Sequence, residues 1–309
     1  MTTCDSSRAI WFCGKIIPAN KAMVPALSPT AQFGLNVFEG VRCYWNGDTS
    51  MLYAFRLDEH LKRLEESCKL IGITLPYDNA YIRQAIKDVC VANNYRCDIA
   101  LRITIFIGGE GSWHSSDPVD MFIAPIQKAR NILSDSSGRS ACISTWERIA
   151  DSALPPRVKA GANYMNGRYA HLEAVRNGYD LPIFLGANRK VSEGAGACLF
   201  MVKNGVLVTP TVTSSILESI TRDTLIELSE SLSLTVEIRD IDRTELYLAE
   251  EVFLCGSAAE LTPVTSIDRI SIGSGSVGKI TKQLSDFYFG LVDGSNQDGA
   301  DWITSVNDL

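Results

Sequence analysis

The stretch Arg189-Lys-Val-Ser-Glu-Gly-Ala-Gly196 decides how the rest of this 309-residue chain folds and acts. Its carboxylate, Glu193, is followed by three small residues. Lys159 stands 34 residues earlier, in Val158-Lys-Ala-Gly-Ala-Asn-Tyr164. Two turns of mostly small residues come later, Ser219-Ile-Thr-Arg-Asp223 and Gly256-Ser-Ala-Ala-Glu-Leu-Thr-Pro-Val264. A lysine amine can bind an aldehyde covalently, and backbone amides in turns can bind an anion.

Composition places the chain among ordinary globular proteins. Hydrophobic residues make up 46% and charged residues 21%, and the length fits two domains. The net charge is −7 and no Lys/Arg cluster occurs, so nucleic acid is not expected as a partner. The nine cysteines include no Cys-x-x-Cys pair, which favours reduced thiols over disulfides or a metal site. With neither a signal-peptide core nor a membrane-length apolar run, we expect a soluble, cytoplasmic protein and no membrane partner.

Apolar periodicity predicts a small α+β domain over residues 1–127. One helical face begins at Leu57 and ends before Gly72, and Asp78 can cap a second helix. Strict alternation over residues 99–107 predicts a strand with Arg102 on the face opposite the isoleucines. Residues 128–140 lose this periodicity and are rich in Ser, Asp and Gly, so they are interpreted as an interdomain loop. We expect residues 141–309 to form a second, larger domain, which contains the motifs of Lys159 and Glu193.

Lys159 and Glu193 each also have an ordinary structural interpretation. A lysine is most often a solvated surface group, and a glutamate after serine on a turn is usually a surface acid or a helix cap. Lys159, however, lies among small residues after two prolines, and Gly194 and Gly196 would let the backbone pass close to a flat ring. The two motifs together favour the interpretation that Lys159 and Glu193 take part in chemistry.

The segment Leu217-Glu-Ser-Ile-Thr221 leads directly into a predicted helix that begins at Thr221. The amides around Ile220 and Thr221 should therefore point at an anion, and the helix dipole would add to them. Thr221 as a simple N-cap is compatible with that role. Gly256 and Ser257 would supply donors from a second turn.

These motifs resemble those of the class IV aminotransferases and, within them, the branched-chain amino-acid aminotransferases most closely. The resemblance runs from about Trp11 to the last helix. It implies an α/β fold of type IV, with a small α+β amino-terminal domain and a larger carboxy-terminal domain that has a β-barrel-like core. It also implies pyridoxal 5′-phosphate as cofactor and a homodimer, or a higher homo-oligomer, that completes its active sites across an interface.

The resemblance also implies residue roles at the cofactor. Lys159 is the catalytic residue, which binds the cofactor covalently and then moves a proton. Glu193 holds the proton of the ring nitrogen, and Tyr164 reaches the phenolic oxygen, although a simply packed aromatic competes with that role. Arg56, Ile220 and Thr221 hold the phosphate, with Gly256 and Ser257 as further donors. Leu217 is a further cofactor-binding residue.

On the substrate side, Phe38 matches a wall of the side-chain pocket and Arg102 an arginine used for acidic substrates. Ser257 and Ala258 keep a turn that receives the substrate carboxylate. The chain departs from the family pattern at three positions, which carry Phe33 and Ala100 in place of tyrosine and Ser219 in place of glycine. The loss of a buried hydroxyl or ring, as at Phe33 and Ala100, shifts substrate preference by about 1–3 kcal/mol without changing the reaction. Ser219 instead lies in the turn that approaches the phosphate.

The sequence therefore predicts an aminotransferase that moves an amino group between an apolar L-α-amino acid, branched-chain or other, and 2-oxoglutarate. A specialised biosynthetic aminotransferase, a D-amino-acid aminotransferase, an amine transaminase and a lyase of the same fold stay open. A non-catalytic binding protein is the remaining alternative, but such a protein would be expected to have lost Lys159 or Glu193.

Overall fold

A computed structural model describes residues 8–134, 138–295 and 297–309. Within these ranges the chain is a mixed α/β protein with sixteen strands, which are β1 Ala9–Phe12, β2 Lys15–Pro18, β3 Asn36–Asn46, β4 Met51–Phe55, β5 Ile99–Ile107, β6 Val119–Gln127, β7 Arg139–Glu147, β8 Leu181–Leu185, β9 Val191–Gly194, β10 Cys198–Lys203, β11 Val206–Thr209, β12 Val236–Ile238, β13 Glu251–Gly256, β14 Glu260–Ile267, β15 Ile270–Ser271 and β16 Ile303–Ser305.

The same ranges contain seven α-helices, which are α1 Pro29–Phe33, α2 Leu57–Leu70, α3 Asn79–Asn93, α4 Tyr164–Arg176, α5 Ile220–Ser231, α6 Arg243–Tyr247 and α7 Lys279–Leu291. Three short 3₁₀ helices cover Ala19–Lys21, Gln297–Trp302 and Val306–Asp308. No helix among these residues combines the length and apolarity needed to cross a membrane.

The chain divides into two compact units. The first contains the segment that ends at Ala129, together with Val158–Ala162 and Gly290–Leu309. Its seven strands form one antiparallel sheet in the order β16-β4-β3-β5-β6-β1-β2. Helices α2 and α3 pack against this sheet and enclose its core.

Sequence periodicity explains the first unit's core. In β5, Ile99, Leu101, Ile103 and Ile105 alternate and are fully buried, while Arg102 between them is exposed. In α2 the predicted apolar face is buried against β3. Asp78 caps α3 as predicted, since its Oδ1 accepts from the Tyr81 amide at 2.7 Å. The strand and both helices are therefore confirmed.

The second unit contains Arg130–Arg157 and Asn163–Phe289. Its nine-stranded mixed sheet runs β12-β11-β10-β13-β14-β7-β8-β9, with β15 added beside β14, and it curls into a half-barrel. β7 is parallel to both its neighbours, β14 and β8. Helix α4 packs on β7 and β8, and α5 packs on β13. This curled sheet is the barrel-like core that the sequence led us to expect.

Two segments that the sequence assigned to the large domain belong by contact to the first unit. Ala160 forms a β-bridge with Val37, and β16 pairs with β4, so both join the first sheet. Strand β7 also begins at Arg139, inside the predicted loop 128–140, of which residues 135–137 lie outside the described part of the chain. As independently folding domains, 1–127 and 141–309 stay a prediction.

Candidate active site

Glu193 is a buried carboxylate of the second unit. It lies on the short strand β9 and is 3% exposed. Its Oε1 accepts from Arg148 Nε at 2.8 Å, and its Oε2 accepts from the Leu217 amide at 3.3 Å. A buried carboxylate is stable only when it is paired and hydrogen-bonded in this way. Leu217, a predicted cofactor residue, is thereby brought directly to Glu193.

The Cys198 thiol is a third donor to this carboxylate. Its Sγ lies 3.7 Å from Glu193 Oε2 and 3.3 Å from the Leu217 carbonyl oxygen. Burial raises the pKa of Cys198 well above its ordinary value, and the nearby Glu193 raises it further. The group therefore remains a neutral S–H donor at physiological pH.

The turn after Glu193 is closely packed. A Cβ added at Gly167 of α4 would lie 2.5 Å from the Ala195 carbonyl oxygen, which is closer than atoms can pack. A Cβ added at Gly196 would lie 3.7 Å from Tyr164 Cε1, so the Tyr164 ring lies beside this turn. Helix α4 thus fixes the backbone that follows Glu193 and places a predicted cofactor residue next to it.

Helix α5 begins at Ile220, and its N-cap is Ser219. Ser219 Oγ accepts from the Arg222 amide at 3.3 Å, so the cap is Ser219 and the alternative of Thr221 as cap is wrong. Ile220 and Thr221 occupy the first two helical positions, whose amides have no partner within an α-helix. Thr221 is 2% exposed. That these two amides bind an anion stays a prediction.

The second predicted turn connects β13 to β14. Gly256 ends β13, and Ser257 and Ala258 form the turn. Glu260 follows with a φ of 49°, is fully buried, and accepts from the Asn131 amide at 2.6 Å. A non-glycine residue in the left-handed region is strained and marks a turn that its surroundings hold in place.

Lys159 lies in the first unit, where β3 and α2 hold its backbone. Its carbonyl oxygen accepts from the Phe38 amide at 2.9 Å, and its amide donates to Ser67 Oγ at 3.3 Å. Lys159 Nζ lies 5.1 Å from the centroid of the Phe38 ring, and the Arg102 guanidinium carbon lies 3.8 Å from the same centroid. Two predicted residues thus lie at the aromatic ring of a third, Phe38. Phe33, at the end of α1, is exposed.

Arg56 is the N-cap of α2 and adopts a left-handed backbone conformation. Its Nε donates to Glu59 Oε1 at 2.6 Å, and its guanidinium carbon lies 5.3 Å from the Trp302 ring centroid. Its predicted contact with the cofactor phosphate stays a prediction.

The first unit contains a buried ionic cluster that the sequence patterns did not predict. Glu39 on β3 accepts from Arg63 Nε at 2.7 Å and Nη2 at 2.9 Å, and its Oε2 lies 2.6 Å from His60 Nδ1. Burial alone would raise the pKa of Glu39, but Arg63 and His60 hold it well below its ordinary value. Burial lowers the pKa of His60, and Arg63 and Lys159 lower it further, although Glu39 opposes them. The missed signal was the spacing of His60, Arg63 and Ser67 on one face of α2.

Arg63 is a second candidate for the phosphate cation. It lies on the face of α2 that carries Ser67, the residue that holds the Lys159 amide. A guanidinium carries five N–H donors, so Arg63 could pair with a phosphate oxygen in addition to the Nε and Nη2 bonds that it donates to Glu39.

The donor chemistry fits pyridoxal phosphate. The second unit presents a buried carboxylate for a protonated ring nitrogen, an aromatic beside the turn, and a helix N-terminus suited to a phosphate. The first unit carries the amine of Lys159 and buried or partly buried arginines.

Comparison with known proteins agrees with this chemistry. The family description "Amino-transferase class IV" matches residues 36–267. A "Branched-chain-amino-acid aminotransferase" of Salmonella typhimurium is 37% identical over 303 residues, which cover 96% of this chain and 97% of the relative. The chain belongs to the class IV aminotransferases. It is a pyridoxal phosphate-dependent transaminase of fold type IV.

Solved structures of branched-chain aminotransferases are also similar to this chain. The branched-chain amino acid aminotransferase of Thermobaculum terrenum, crystallised in its PLP form, superposes with a TM-score of 0.91 and is 42% identical, covering 97% of this chain and 98% of that one. The branched-chain aminotransferase of Thermoproteus uzoniensis, crystallised with norvaline, gives a TM-score of 0.90 at 35% identity, covering 97% and 99%.

Proposed function

We propose that this enzyme transfers an amino group between a branched-chain or similarly apolar L-α-amino acid and 2-oxoglutarate. The buried, hydrogen-bonded carboxylate of Glu193 carries the proposal, because it suits a cofactor whose ring nitrogen must stay protonated. The names of the relatives supply the class of amino acid.

When bound, pyridoxal phosphate supplies an aldehyde carbon and an electron-withdrawing ring. Lys159 would hold that aldehyde covalently and, once released by substrate, carry a proton to and from the substrate Cα. Glu193 would hold the proton at the ring nitrogen, and Tyr164 would donate to the phenolic oxygen. The amides of Ile220 and Thr221 would bind the phosphate.

Further contacts would come from the remaining predicted residues. Arg56 would add a cation to the phosphate, Gly256 and Ser257 would donate to it, and Leu217 would support Glu193. Ser257 and Ala258 would receive the substrate carboxylate.

The pairing of Phe38 with Arg102 supports two different substrates at one pocket. The Phe38 ring is an apolar wall for a branched side chain, and the guanidinium of Arg102 stacks on that ring at 3.8 Å. An apolar amino acid would pack on the ring, while the second carboxylate of 2-oxoglutarate would pair with the guanidinium. Phe33, which has no hydroxyl, would make the pocket less polar.

Self-association and a cytoplasmic location are also part of the proposal. Met165, Tyr169, Leu172 and Val175 expose apolar surface along α4, and Trp146 stacks on Tyr169 at 4.9 Å. Contiguous exposed apolar surface of this kind is typical of subunit interfaces. We expect a homodimer or a higher homo-oligomer in sedimentation equilibrium.

The test combines borohydride trapping with a panel of amino donors. We expect reduced cofactor on Lys159 in peptide mapping, loss of that label in Lys159→Ala, and retention in Lys282→Ala, which removes an exposed lysine. The visible absorption of the bound cofactor should be bleached by L-leucine, L-isoleucine and L-valine. Bleaching only by D-amino acids, amines or an unusual donor would move the substrate assignment. Label on a different lysine would refute the role of Lys159.

A further inference from the structure

Arg148 is a cation in direct contact with Glu193, and no sequence motif marks it. It follows β7 directly, and its amide donates to the Leu185 carbonyl oxygen at 2.9 Å. The side chains of Arg148 and Glu193 are 10% and 4% exposed, and their Nε–Oε1 distance is 2.8 Å. This is a nearly buried ion pair within one unit.

Asn166 fixes the other end of the guanidinium. Arg148 Nη1 donates to Asn166 Oδ1 at 3.2 Å, and the Ile149 amide donates to the same oxygen at 3.3 Å. Asn166 Nδ2 in turn donates to the Glu147 carbonyl oxygen at 2.9 Å. Helix α4 and the end of β7 therefore hold the guanidinium in one orientation towards Glu193.

The charge balance around Glu193 depends on this contact. A carboxylate buried this deeply tends to take up a proton, because burial disfavours its charged form. Cys198 and the Leu217 amide donate to Oε2 but carry no charge. Two further titratable groups lie near this carboxylate. Cys255 is a buried thiol that pairs with Cys198 across β10 and β13, and Arg222 lowers the pKa of both cysteines electrostatically. Arg148 is a cation that the structure places in direct contact with the carboxylate.

We propose that Arg148 is a positioning residue that keeps Glu193 ionised, so that the proton shared with the cofactor resides on the ring nitrogen and not on the carboxylate. The proposal rests on the proposed role of Glu193. Asn166 contributes by fixing the guanidinium. Without the cation, the carboxylate becomes the more basic partner, the ring nitrogen loses its proton to Glu193, and the ring withdraws electrons less effectively.

The experiment uses full-length enzyme loaded with pyridoxal phosphate that is ¹⁵N-labelled at the ring nitrogen. We expect a pyridinium-like ¹⁵N shift in wild type, a shift towards neutral pyridine in Arg148→Gln, and restoration in Arg148→Lys. The kcat of Arg148→Gln should fall at least about tenfold, because one unit of proton affinity is a factor of ten, with a smaller change in KM.

A matched control and a second variant make the test decisive. Arg243→Gln removes another arginine–carboxylate pair of the same unit, with Asp268 at 2.8 Å, and should leave the ¹⁵N shift unchanged. Asn166→Asp is isosteric and gives Arg148 a competing carboxylate, so it should move the ¹⁵N shift in the same direction as Arg148→Gln. It therefore tests the proposal even if Arg148→Gln folds poorly. An unchanged pyridinium shift in Arg148→Gln or Asn166→Asp overturns the proposal. A neutral ring nitrogen in wild type refutes the assignment of Glu193 as well.

Discussion

Replacing Glu39 with glutamine should destabilise the first unit severely. The substitution keeps the shape of the side chain but leaves Arg63 as a buried cation without its counter-charge. Glu39 is fully buried and contacts Arg63 through both carboxylate oxygens. Breaking a buried ion pair by removing one partner costs about 3–5 kcal/mol. In a unit of this size that corresponds to a fall in Tm of about 6–20 °C.

The pH dependence follows from the same cluster. The pKa of His60 is lowered from 6.5 in the fold, so the unfolded chain binds its proton first and stability falls as the pH drops below 6.5. The pKa of Glu39 is lowered from 4.5, so its contribution is present above 4.5 and is lost as the pH falls further. Both groups therefore make the protein less stable as the pH falls. Glu39→Gln should remove the loss of stability that occurs below pH 4.5.

Differential scanning calorimetry of cofactor-free protein from pH 8 down to about pH 3 would measure both effects. Glu59→Gln is the matched control, because Glu59 pairs with Arg56 at a partly exposed site where such pairs contribute about 1 kcal/mol or less. The double variant Glu39→Gln/Arg63→Gln should lose less than the sum of its single variants. A Tm of Glu39→Gln within 1–2 °C of wild type would refute the reasoning, since even about 1 kcal/mol shifts Tm by roughly 2–4 °C.

Two further predictions concern Gly167 and Ser219 of the second unit. Gly167→Ala should cost about 1–3 kcal/mol and weaken cofactor binding in a fluorescence titration, because its Cβ would displace the Ala195 backbone beyond Glu193. Gly290→Ala has open space at its Cβ and should be neutral or stabilising by up to about 1 kcal/mol; equal losses in both variants would contradict the steric argument. Ser219→Ala should cost about 1 kcal/mol in thermal unfolding, and Ser219→Gly only a few tenths. Equal losses in the two Ser219 variants would show that its cap contributes little.

Local patterns predicted the regular elements well. Helix α2 ends two residues before Gly72, and α5 begins one residue before the predicted Thr221. Strand β5 matches the alternating residues 99–107 in full. In these segments the buried face repeats with the period of the element itself, so the sequence carries the information locally.

The features that the sequence did not predict depend on contacts between residues far apart in the chain. Arg148 and Glu193 are 45 residues apart, and Ser67 and Lys159 are 92 apart, so nothing near either residue marks its partner. The parallel pairing of β7 with β8 and β14 likewise has no turn that predicts it. The N-cap at Ser219 could have been anticipated, since serine is preferred over threonine at that position.

The position of β16 has a consequence for synthesis of the chain. β16 covers the edge of β4, and Val306 is buried in the core of the first unit, although some 250 residues separate them from β4. During translation that edge stays open until residues 303–309 have left the ribosome. An uncovered strand edge recruits other strands, so nascent or prematurely terminated chains should aggregate even when every catalytic residue has been made. For this protein, yield on expression should therefore depend on an intact C-terminal segment and on chaperone supply.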